Sequence, residues 1–462
     1  MSHSKYTRRE FVGSLPCLAL GTSTLFSSLI NLKAMNSLMG TTTVGDDYKA
    51  IVCLMMSGGN DSYNMVIPTS TNEYSEYATV RSNLAISRNE ILGINPTNGD
   101  GRTFGLHPSM TNLRQLFDNG NLAIVNNVGT LVEPSTKPQI EGNQVQVPLG
   151  LFSHSDQLMH WQTGMAGERI AEGWGGRMAD ILSAMNTNTG VSMNISLAGN
   201  NVFQRGETIT EYAINSDGGV AIVGWDTPLP LFQQIQKDVT DMMGQQYEDI
   251  FQKSYVNTLR RSVESNVVFN SAVQNVELAT QFSQTNLSMN MNMIARAISS
   301  RDPLGAKRQI FFVDIGGFDN HDELINNHAA LMTQVDLALS EFYAATVELG
   351  VQDCVTTFTV SDFARTLTSN GNGTDHAWGG NALVMGGAVK GQRMYGDYPI
   401  LSLGTDLELG RGRLLPTTSA DEYFAEIALW FGISPNDLSL ILPNIGNFYS
   451  ASSGEAPLGF LL

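Results

Sequence analysis

Carboxylate and imidazole side chains recur in this sequence just after apolar segments that are typical of buried strands. The set comprises Asp61, Asp319, His321, Asp362, Asp375 and His376. Carboxylates mixed with imidazoles are ligands that suit Zn²⁺ or Mn²⁺, and less so Mg²⁺ or Ca²⁺. Two ions held in one such cluster clamp the attacking and leaving oxygens of a phosphoryl-like transfer. We therefore predict a site for one or two divalent metal ions, although an Asp in a glycine loop also commonly caps a turn.

The elements that must position these residues alternate between strands and helices along the chain. Apolar runs predict strands at 49–56, 121–128, 191–197, 309–315, 353–360 and 383–389. Amphipathic spacing and capping signals predict helices at 73–81, 109–119, 153–164, 174–185, 322–349 and 419–431, the last opened by a Ser419–Glu422 capping box. This alternation predicts an α/β fold with a mainly parallel sheet covered on both faces. Ligands of such sheets lie at the carboxyl ends of the strands, where the candidate residues fall.

A serine at the start of a predicted helix is a candidate nucleophile. Ser153 opens the segment 153–164, and the free N–H groups and dipole of a helix N-terminus favour an anion there. Metal coordination would activate the hydroxyl further. The neighbouring Ser155 is an equal candidate, and either serine also fits a plain helix cap.

Arginines near the predicted ligands are candidates for binding an anionic substrate, because a guanidinium holds two oxygens at once. Arg365 follows the Asp362 strand, and Arg411 and Arg413 lie in a glycine-containing run. His107 is a weaker candidate for the site, since it also suits a simple position before the helix at 109–119.

The N-terminus predicts export. Thr7-Arg8-Arg9-Glu10-Phe11-Val12 resembles the twin-arginine consensus, and a moderately apolar, uncharged stretch follows it to residue 30. We expect residues 1–47 to be a signal and linker read by the twin-arginine translocase, the mature protein to be periplasmic or extracellular, and no stable membrane span to remain after export.

Net charge and residue pattern indicate the partners and the domain organisation of the rest of the chain. The chain carries 26 Lys and Arg against 44 Asp and Glu, a net charge of −18. An acidic body is repelled by nucleic acid and by anionic lipid surfaces, and we expect no nucleic-acid partner. We expect residues 48–462 to form one domain with a helical insertion at about 228–300. Apolar residues at steps of three and four from Ile235 to Phe251 predict one long helix there.

Eight motifs together resemble the bacterial family catalogued as domain of unknown function 1501. They are SGGNDSYN, GLHPSM, SHSDQLMHWQTG, EGWGGRMAD, GGFDNHD, SDFART, GTDHAWGGNALVMGGAVKG and GRGRLLPTTSADEY, and they extend over about 49–448. The family is placed in the alkaline phosphatase-like superfamily, alongside sulfatases, phosphatases and phosphoglycerate mutases. The resemblance implies a three-layer α/β/α core with metal ligands at the strand ends.

The resemblance also implies roles for single residues. Asp61 resembles the metal-binding Asp that follows the first strand, and Ser153 lies near the position of the superfamily's nucleophile. Two Asp–His metal pairs are matched by Asp319 with His321 and by Asp375 with His376.

The sequence departs from the superfamily pattern in two places. Superfamily hydrolases often carry Asp-His-Gly after a later strand, whereas here Asp362 is followed by Phe363. A formylglycine-type sulfatase needs a Cys-x-Pro-x-Arg-like run, which this sequence lacks, so conventional sulfate-ester hydrolysis is disfavoured.

Two functions of different classes follow from these observations. The first is an exported metal-dependent hydrolase or transferase acting on phosphate, sulfate or phosphonate esters. The second is a non-catalytic envelope protein that keeps the fold and binds a ligand or partner; Phe363 and the Asn-, Gln- and Met-rich helical segment favour it. Bound metal together with ester turnover would distinguish the first from the second.

Overall fold

A computed structural model describes residues 47–188, 190–220 and 228–461 of the chain. The predicted export signal, apart from Asp47, lies outside the described residues. None of the helices in the described ranges is both long enough and apolar enough to cross a bilayer.

The described residues form strands and helices in alternation. The strands are β1 Lys49–Met56, β2 Val66–Pro68, β3 Leu92–Ile94, β4 Phe104–Leu106, β5 Leu122–Gly129, β6 Asn194–Ser196, β7 Tyr212–Asn215, β8 Gly218–Gly219, β9 Arg308–Ile315, β10 Val355–Ser361, β11 Gly380–Met385, β12 Arg393–Tyr395 and β13 Thr418–Ser419. The α-helices are α1 Ser62–Met65, α2 Thr71–Arg81, α3 Thr111–Asp118, α4 Lys137–Glu141, α5 His154–Thr163, α6 Trp174–Leu182, α7 Pro230–Gly244, α8 Ile250–Val273, α9 Asn286–Ser299, α10 Leu324–Glu348, α11 Ala420–Phe431 and α12 Leu438–Ile441.

The main sheet has the strand order β12-β5-β11-β10-β1-β9-β6-β7-β8, with β13 also paired to β5. Strands β10, β1, β9, β6 and β7 run parallel to one another. Strand β11 runs antiparallel between β10 and β5, so β5 points the same way as the central strands. This confirms the predicted α/β class with a mostly parallel sheet, and it places the carboxyl ends of β1, β9 and β10 side by side.

Strand β1 shows why the fold has three layers. Its alternate side chains Val52 and Leu54 pack into one core, while Ile51 and Cys53 pack into another on the opposite face. Because successive side chains of a strand point to opposite faces, a strand buried on both sides has a continuous apolar sequence. The run at 49–56 is therefore the signature of a central strand.

Helices cover both faces of the sheet. Helices α3, α9 and α10 contribute apolar side chains to one core, and α5, α6, α11 and α12 contribute to the other. The capping box predicted for α11 is confirmed, since the Ser419 hydroxyl accepts from the Glu422 backbone and the Glu422 carboxylate accepts from the Ser419 backbone. The helix therefore begins at the predicted residue.

The helical segment after residue 228 differs from its sequence prediction. The one long helix predicted through Ile235 and Phe251 is wrong, because α7 ends at Gly244 and α8 begins only at Ile250. The carboxylate of Asp249 accepts hydrogen bonds from the backbone of Phe251 and Gln252, at 3.0 and 2.9 Å, and so starts a new helix. Helix α9, in contrast, is buried against α10 and β9.

Candidate metal centre

The loops that leave β1, β9 and β10 meet at one edge of the sheet. The backbone of Gly58, after β1, donates to the Asp362 carboxylate after β10 at 3.1 Å. Its carbonyl accepts from Arg365 at 3.2 Å. A Cβ atom at Gly58, whose φ is +115°, would collide with the backbone nitrogen of Asp319 in the loop after β9. Glycine is needed here both for the positive φ and for the close approach of two loops.

Three imidazoles surround the carboxylate of Asp319. The Nε2 atom of His321 lies 3.0 Å from Asp319 Oδ1, that of His376 lies 3.4 Å from the same oxygen, and that of His154 lies 3.4 Å from Oδ2. Suitable ligand atoms of His154, Asp319 and His376 all lie within 4.8 Å of one another. Nitrogen and oxygen donors at this spacing form the core of a candidate metal centre.

Each imidazole is held from behind by an oxygen atom near its Nδ1. His154 Nδ1 lies 2.7 Å from Asp362 Oδ2, and His376 Nδ1 lies 2.7 Å from the carbonyl oxygen of Phe152. His321 Nδ1 lies 3.3 Å from Asp375 Oδ1. Metal-binding histidines characteristically donate their second N–H to a carboxylate or carbonyl, which fixes the ring and the tautomer.

These contacts select the tautomer of the neutral rings. A carbonyl or an ionised carboxylate only accepts, so each Nδ1 carries the proton and each Nε2 of a neutral ring presents a lone pair. Burial, ahead of the other influences, keeps the pKa of His376 below its ordinary value, which favours the neutral form. Yet His321 Nε2 and His376 Nε2 are only 3.0 Å apart. Two lone pairs at that distance require a cation or a shared proton between them.

The centre also contains an orphaned atom. His154 Nε2 is buried and has no hydrogen-bond partner in the described part of the chain. A buried polar atom without a partner is costly, and a metal ion is one group that satisfies it. The donor set and this atom therefore fit a divalent cation of the zinc or manganese kind.

Arg365 fixes the charge of Asp319. Burial alone would raise the pKa of Asp319, but the hydrogen bond and charge of Arg365, 2.7 Å away, outweigh it, and the pKa lies below its ordinary value. The carboxylate is therefore ionised across the physiological range. Arg365 is itself fully buried, with further donors to Gly58 and Thr374.

Phe363, which directly follows Asp362, packs against two of the imidazoles. Its ring stacks on His376 with centroids 4.5 Å apart and contacts His154 with centroids 4.8 Å apart. A Cβ atom on Gly59 would collide with this ring, so the glycine loop after β1 makes room for it. Phe363 thus supplies an apolar wall that holds two imidazoles at a fixed separation.

Two of the predicted metal ligands contact the Nδ1 atoms of the imidazoles, on the other side of the rings from Nε2. Asp362 contacts His154 and Asp375 contacts His321, so both carboxylates orient imidazoles. Asp375 is also paired with Arg411. Burial tends to raise the pKa of Asp375, but the Asn370 hydrogen bond, Arg411 and His321 together lower it.

The structure places Asp61 elsewhere. It is 1% exposed and forms an ion pair with the buried Arg81 of α2, and none of the contacts of the described residues joins it to the three imidazoles. The chain turns sharply at Gly58 and Gly59, so that Asp61 begins α1 and faces α2. A carboxylate predicted from its place after β1 therefore serves a buried ion pair, while Gly58 reaches the centre.

None of the contacts of the described residues joins the hydroxyl of the candidate nucleophile Ser153 to the three imidazoles. Ser153 Oγ lies 3.1 Å from Ser155 Oγ, in an exposed contact at the start of α5. The next residue, His154, turns into the centre instead. The sequence analysis missed His154 as a candidate ligand, although it is the imidazole within the Ser153–Asp156 motif, because the start of a helix was considered only for a cap or a nucleophile.

His107 is buried away from the centre beside His328, with ring centroids 5.4 Å apart. Burial, followed by the neighbouring His328, lowers the pKa of His107 to about 3. It is therefore a neutral core residue, in agreement with its simpler interpretation.

Fold and site together define a class: an α/β protein with a large, mostly parallel sheet and a histidine–aspartate centre at the ends of its central strands. The chain belongs to the family described as Protein of unknown function (DUF1501), whose model matches residues 48–439. This confirms the family resemblance of the sequence motifs. Among curated proteins, none matches the chain.

Two solved structures show a remote likeness. One is the crystal structure of Ps i-CgsB in complex with k-i-k-neocarrahexaose, with a TM-score of 0.33 and 9% identity over 86% of this chain and 77% of that chain. The other is the lipoteichoic acid synthase LtaP from Listeria monocytogenes, with a TM-score of 0.31 and 9% identity over 80% of this chain and 74% of that chain. Similarities this low do not identify an activity.

Proposed function

We propose that the protein is an exported metal-dependent hydrolase or transferase that acts on an anionic phosphate, sulfate or phosphonate ester. The observation that carries this proposal is the convergence of three Nε2 atoms on Asp319, with an oxygen near every Nδ1. Arrangements of this kind are typical of metal centres rather than of surface ion pairs. Export rests on the Arg8-Arg9 motif alone.

His154, Asp319 and His376 would hold the metal ion, with His321 beside them. When bound, a divalent ion supplies a Lewis acid that polarises an ester oxygen and makes water a stronger nucleophile. Zn²⁺ and Mn²⁺ suit this mixture of imidazole and carboxylate better than Mg²⁺ or Ca²⁺.

The chain's own residues keep this centre ready. Arg365 holds the Asp319 carboxylate in its ionised form, and Asp362 fixes the His154 ring so that Nε2 faces inward. Phe363 excludes water from one side of the two rings it touches. Positioning of this kind is the protein's part of metal-assisted hydrolysis.

The proposal differs from the sequence prediction at the candidate nucleophile Ser153. Ser153 faces Ser155, so we assign the ester-cleaving step to water and expect Ser153→Ala to keep at least about half of any activity. A true serine nucleophile would instead lose activity by orders of magnitude on truncation. Metal content should stay the same in this variant, so that a loss of activity would report the loss of the hydroxyl and not of the ion.

The experiment that tests the proposal combines metal analysis with turnover. The purified protein is offered Zn²⁺ and Mn²⁺, dialysed, analysed for metal, and then screened against nitrophenyl phosphate, sulfate and phosphonate esters. The Asp319→Ala/His376→Ala variant should lose both bound metal and activity, because it removes two of the three proposed ligands. The matched control is Asp118→Ala, which removes a partly buried carboxylate of α3 paired with Arg114. Undiminished metal in the double variant would refute the site.

A second candidate is a non-catalytic partner-binding role. Helices α7 and α8 expose large apolar side chains, including Ile250 at 74% and Phe251 at 81%. Exposed apolar clusters often mark interaction surfaces. A protein that retains metal, turns over none of the esters and captures an envelope partner through Phe251 would support this role over the enzyme.

A further inference from the structure

Each of the three guanidinium nitrogens of Arg365 already donates to a group of the protein. Its side chain is fully buried, and its nitrogens donate to Asp319, Gly58 and both oxygens of Thr374. The anion-binding role predicted for it from sequence is therefore filled by groups of the protein itself. An anionic ester at the centre needs a different cation.

Arg413 is the candidate for this cation. It is half-buried, and its Nε donates to the carbonyl oxygen of His376 at 3.2 Å. Its guanidinium lies over the Phe152 ring, 4.6 Å from the centroid. Within the described ranges, the two terminal guanidinium nitrogens of Arg413 form no hydrogen bond or ion pair. The Arg413 side chain is thus fixed through Nε and the Phe152 ring, while its terminal nitrogens are available to a ligand.

Phe152 ties Arg413 to the metal centre. Its carbonyl oxygen accepts from His376 Nδ1, its ring carries the guanidinium, and it lies two residues before His154. It does so in the left-handed region, at φ +73°, which is costly for a bulky side chain. Such strain persists where the surroundings hold it, and it characteristically marks functional sites.

The charges around the centre indicate what an occupant must carry. Asp319 pairs with Arg365 and Asp375 with Arg411. Asp362 contacts His154, and Arg413 donates to the carbonyl oxygen of His376, so three carboxylates are matched in number by three guanidinium groups around the centre. A divalent ion on neutral imidazoles then leaves two positive charges. A phosphate monoester carries nearly two negative charges at neutral pH, whereas a sulfate monoester carries one.

We propose that Arg413, seated on Phe152, binds the charged end of the substrate, and that this substrate is a dianionic phosphate monoester. The inference rests on the proposed metal-dependent function and names its substrate class. Arg413 is the substrate-binding guanidinium, and Arg365 is a positioning residue for Asp319.

Phenyl phosphate and phenyl sulfate, which share a shape and differ in charge, test this by isothermal titration into the metal-loaded full chain. The wild type should bind phenyl phosphate at least about tenfold more tightly than phenyl sulfate. Arg413→Gln should weaken phenyl phosphate binding by about 10- to 100-fold, as expected for a lost charge-assisted hydrogen bond. Metal content and melting temperature should not change.

Two further variants sharpen the test. Phe152→Leu should weaken phenyl phosphate binding in the same direction but less, and its effect should not add to that of Arg413→Gln, because the two residues act as one unit. Arg114→Gln, which removes a partly exposed arginine of α3 that pairs with Asp118, should leave binding unchanged. Three results would overturn the proposal: equal affinity of Arg413→Gln and wild type for phenyl phosphate, no preference of the wild type for phenyl phosphate over phenyl sulfate, or no binding of either ligand. Absence of metal in the wild type would instead refute the proposed function. The metal content is therefore measured separately on the same samples.

Discussion

At the scale of single residues, the centre depends on atoms that are turned away from it. The inward Nε2 of His154 is directed by the Asp362 carboxylate behind Nδ1, and that of His376 by the Phe152 carbonyl. Each of these contacts selects one tautomer and one ring orientation. The ligand atoms are therefore arranged before any ion arrives, which lowers the cost of binding one.

Asp362→Asn tests this orientation. The amide can leave His154 Nδ1 facing an N–H instead of an acceptor, which disfavours the required tautomer. We expect metal affinity to fall by about 10- to 100-fold, the usual effect of removing such an outer partner. Competition with a chromophoric chelator measures the affinity, with Asp118→Asn on α3 as the control. Unchanged affinity would mean that Asp362 has no part in holding the ring.

Part of the centre was predictable at this scale. The sequence grouped Asp319, His321 and His376 because each lies in a loop near a strand end, and the structure places these three together. It could not distinguish ligand from supporting residue, as with Asp362, because that depends on which oxygen or nitrogen faces inward. His154 was missed because a residue at a helix start was considered only as a cap or a nucleophile.

At the scale of elements, the loops after β1 and β9 can meet only because Gly58 lacks a side chain. Gly58→Ala should reduce the free energy of unfolding by about 1–3 kcal/mol or more, through the positive φ and the collision with the Asp319 backbone. It should also weaken metal binding, because Asp319 moves. Urea unfolding and chelator competition measure the two effects.

Gly101→Ala is the matched control for that prediction. Its φ of +93° carries similar backbone strain, but a Cβ atom there meets open space. We expect a cost of only about 1 kcal/mol and full metal affinity. Equal losses in the two variants would show that backbone strain, and not the loop contact, is what matters at Gly58.

Element positions followed the sequence where periodicity was strong. Strand β1 and helix α10 lie within a residue or two of their predictions because long apolar patterns define them. Strand β11 was expected at 383–389 but spans Gly380–Met385. Its antiparallel direction depends on pairing with distant β5, which a local pattern cannot reveal.

At the scale of the whole molecule, two buried histidines link stability to pH. Burial, followed by the charge of Arg81, lowers the pKa of His328 to about 3, and burial with His328 does the same for His107. The folded state keeps both rings neutral, whereas the unfolded chain protonates them below about pH 6.5. Stability from this source is therefore complete above pH 6.5 and is lost as pH falls from there towards 3.

The expected loss is at most about 1.4 kcal/mol per pH unit for each histidine. His328→Gln keeps a donor to Asn60, which accepts from His328 Nε2 at 2.9 Å, but it removes one titrating ring. Denaturant unfolding at a series of pH values should show a shallower acid slope in this variant. Asn327→Ala, at an exposed position of the same helix, should keep the wild-type slope; an equal slope in His328→Gln would contradict the assignment.

The account as a whole depends on a cation being bound where the three Nε2 atoms converge on Asp319. The most direct measurement is the metal-to-protein ratio of the purified chain, determined by mass spectrometry after exposure to Zn²⁺ and Mn²⁺ and extensive dialysis. We predict about one ion or more per chain in the wild type and a near-complete loss in His154→Ala, since this variant removes a proposed ligand that is half-exposed and whose loss should leave the fold intact. A wild type that retains no metal, or a His154→Ala variant that retains as much as the wild type, would contradict it.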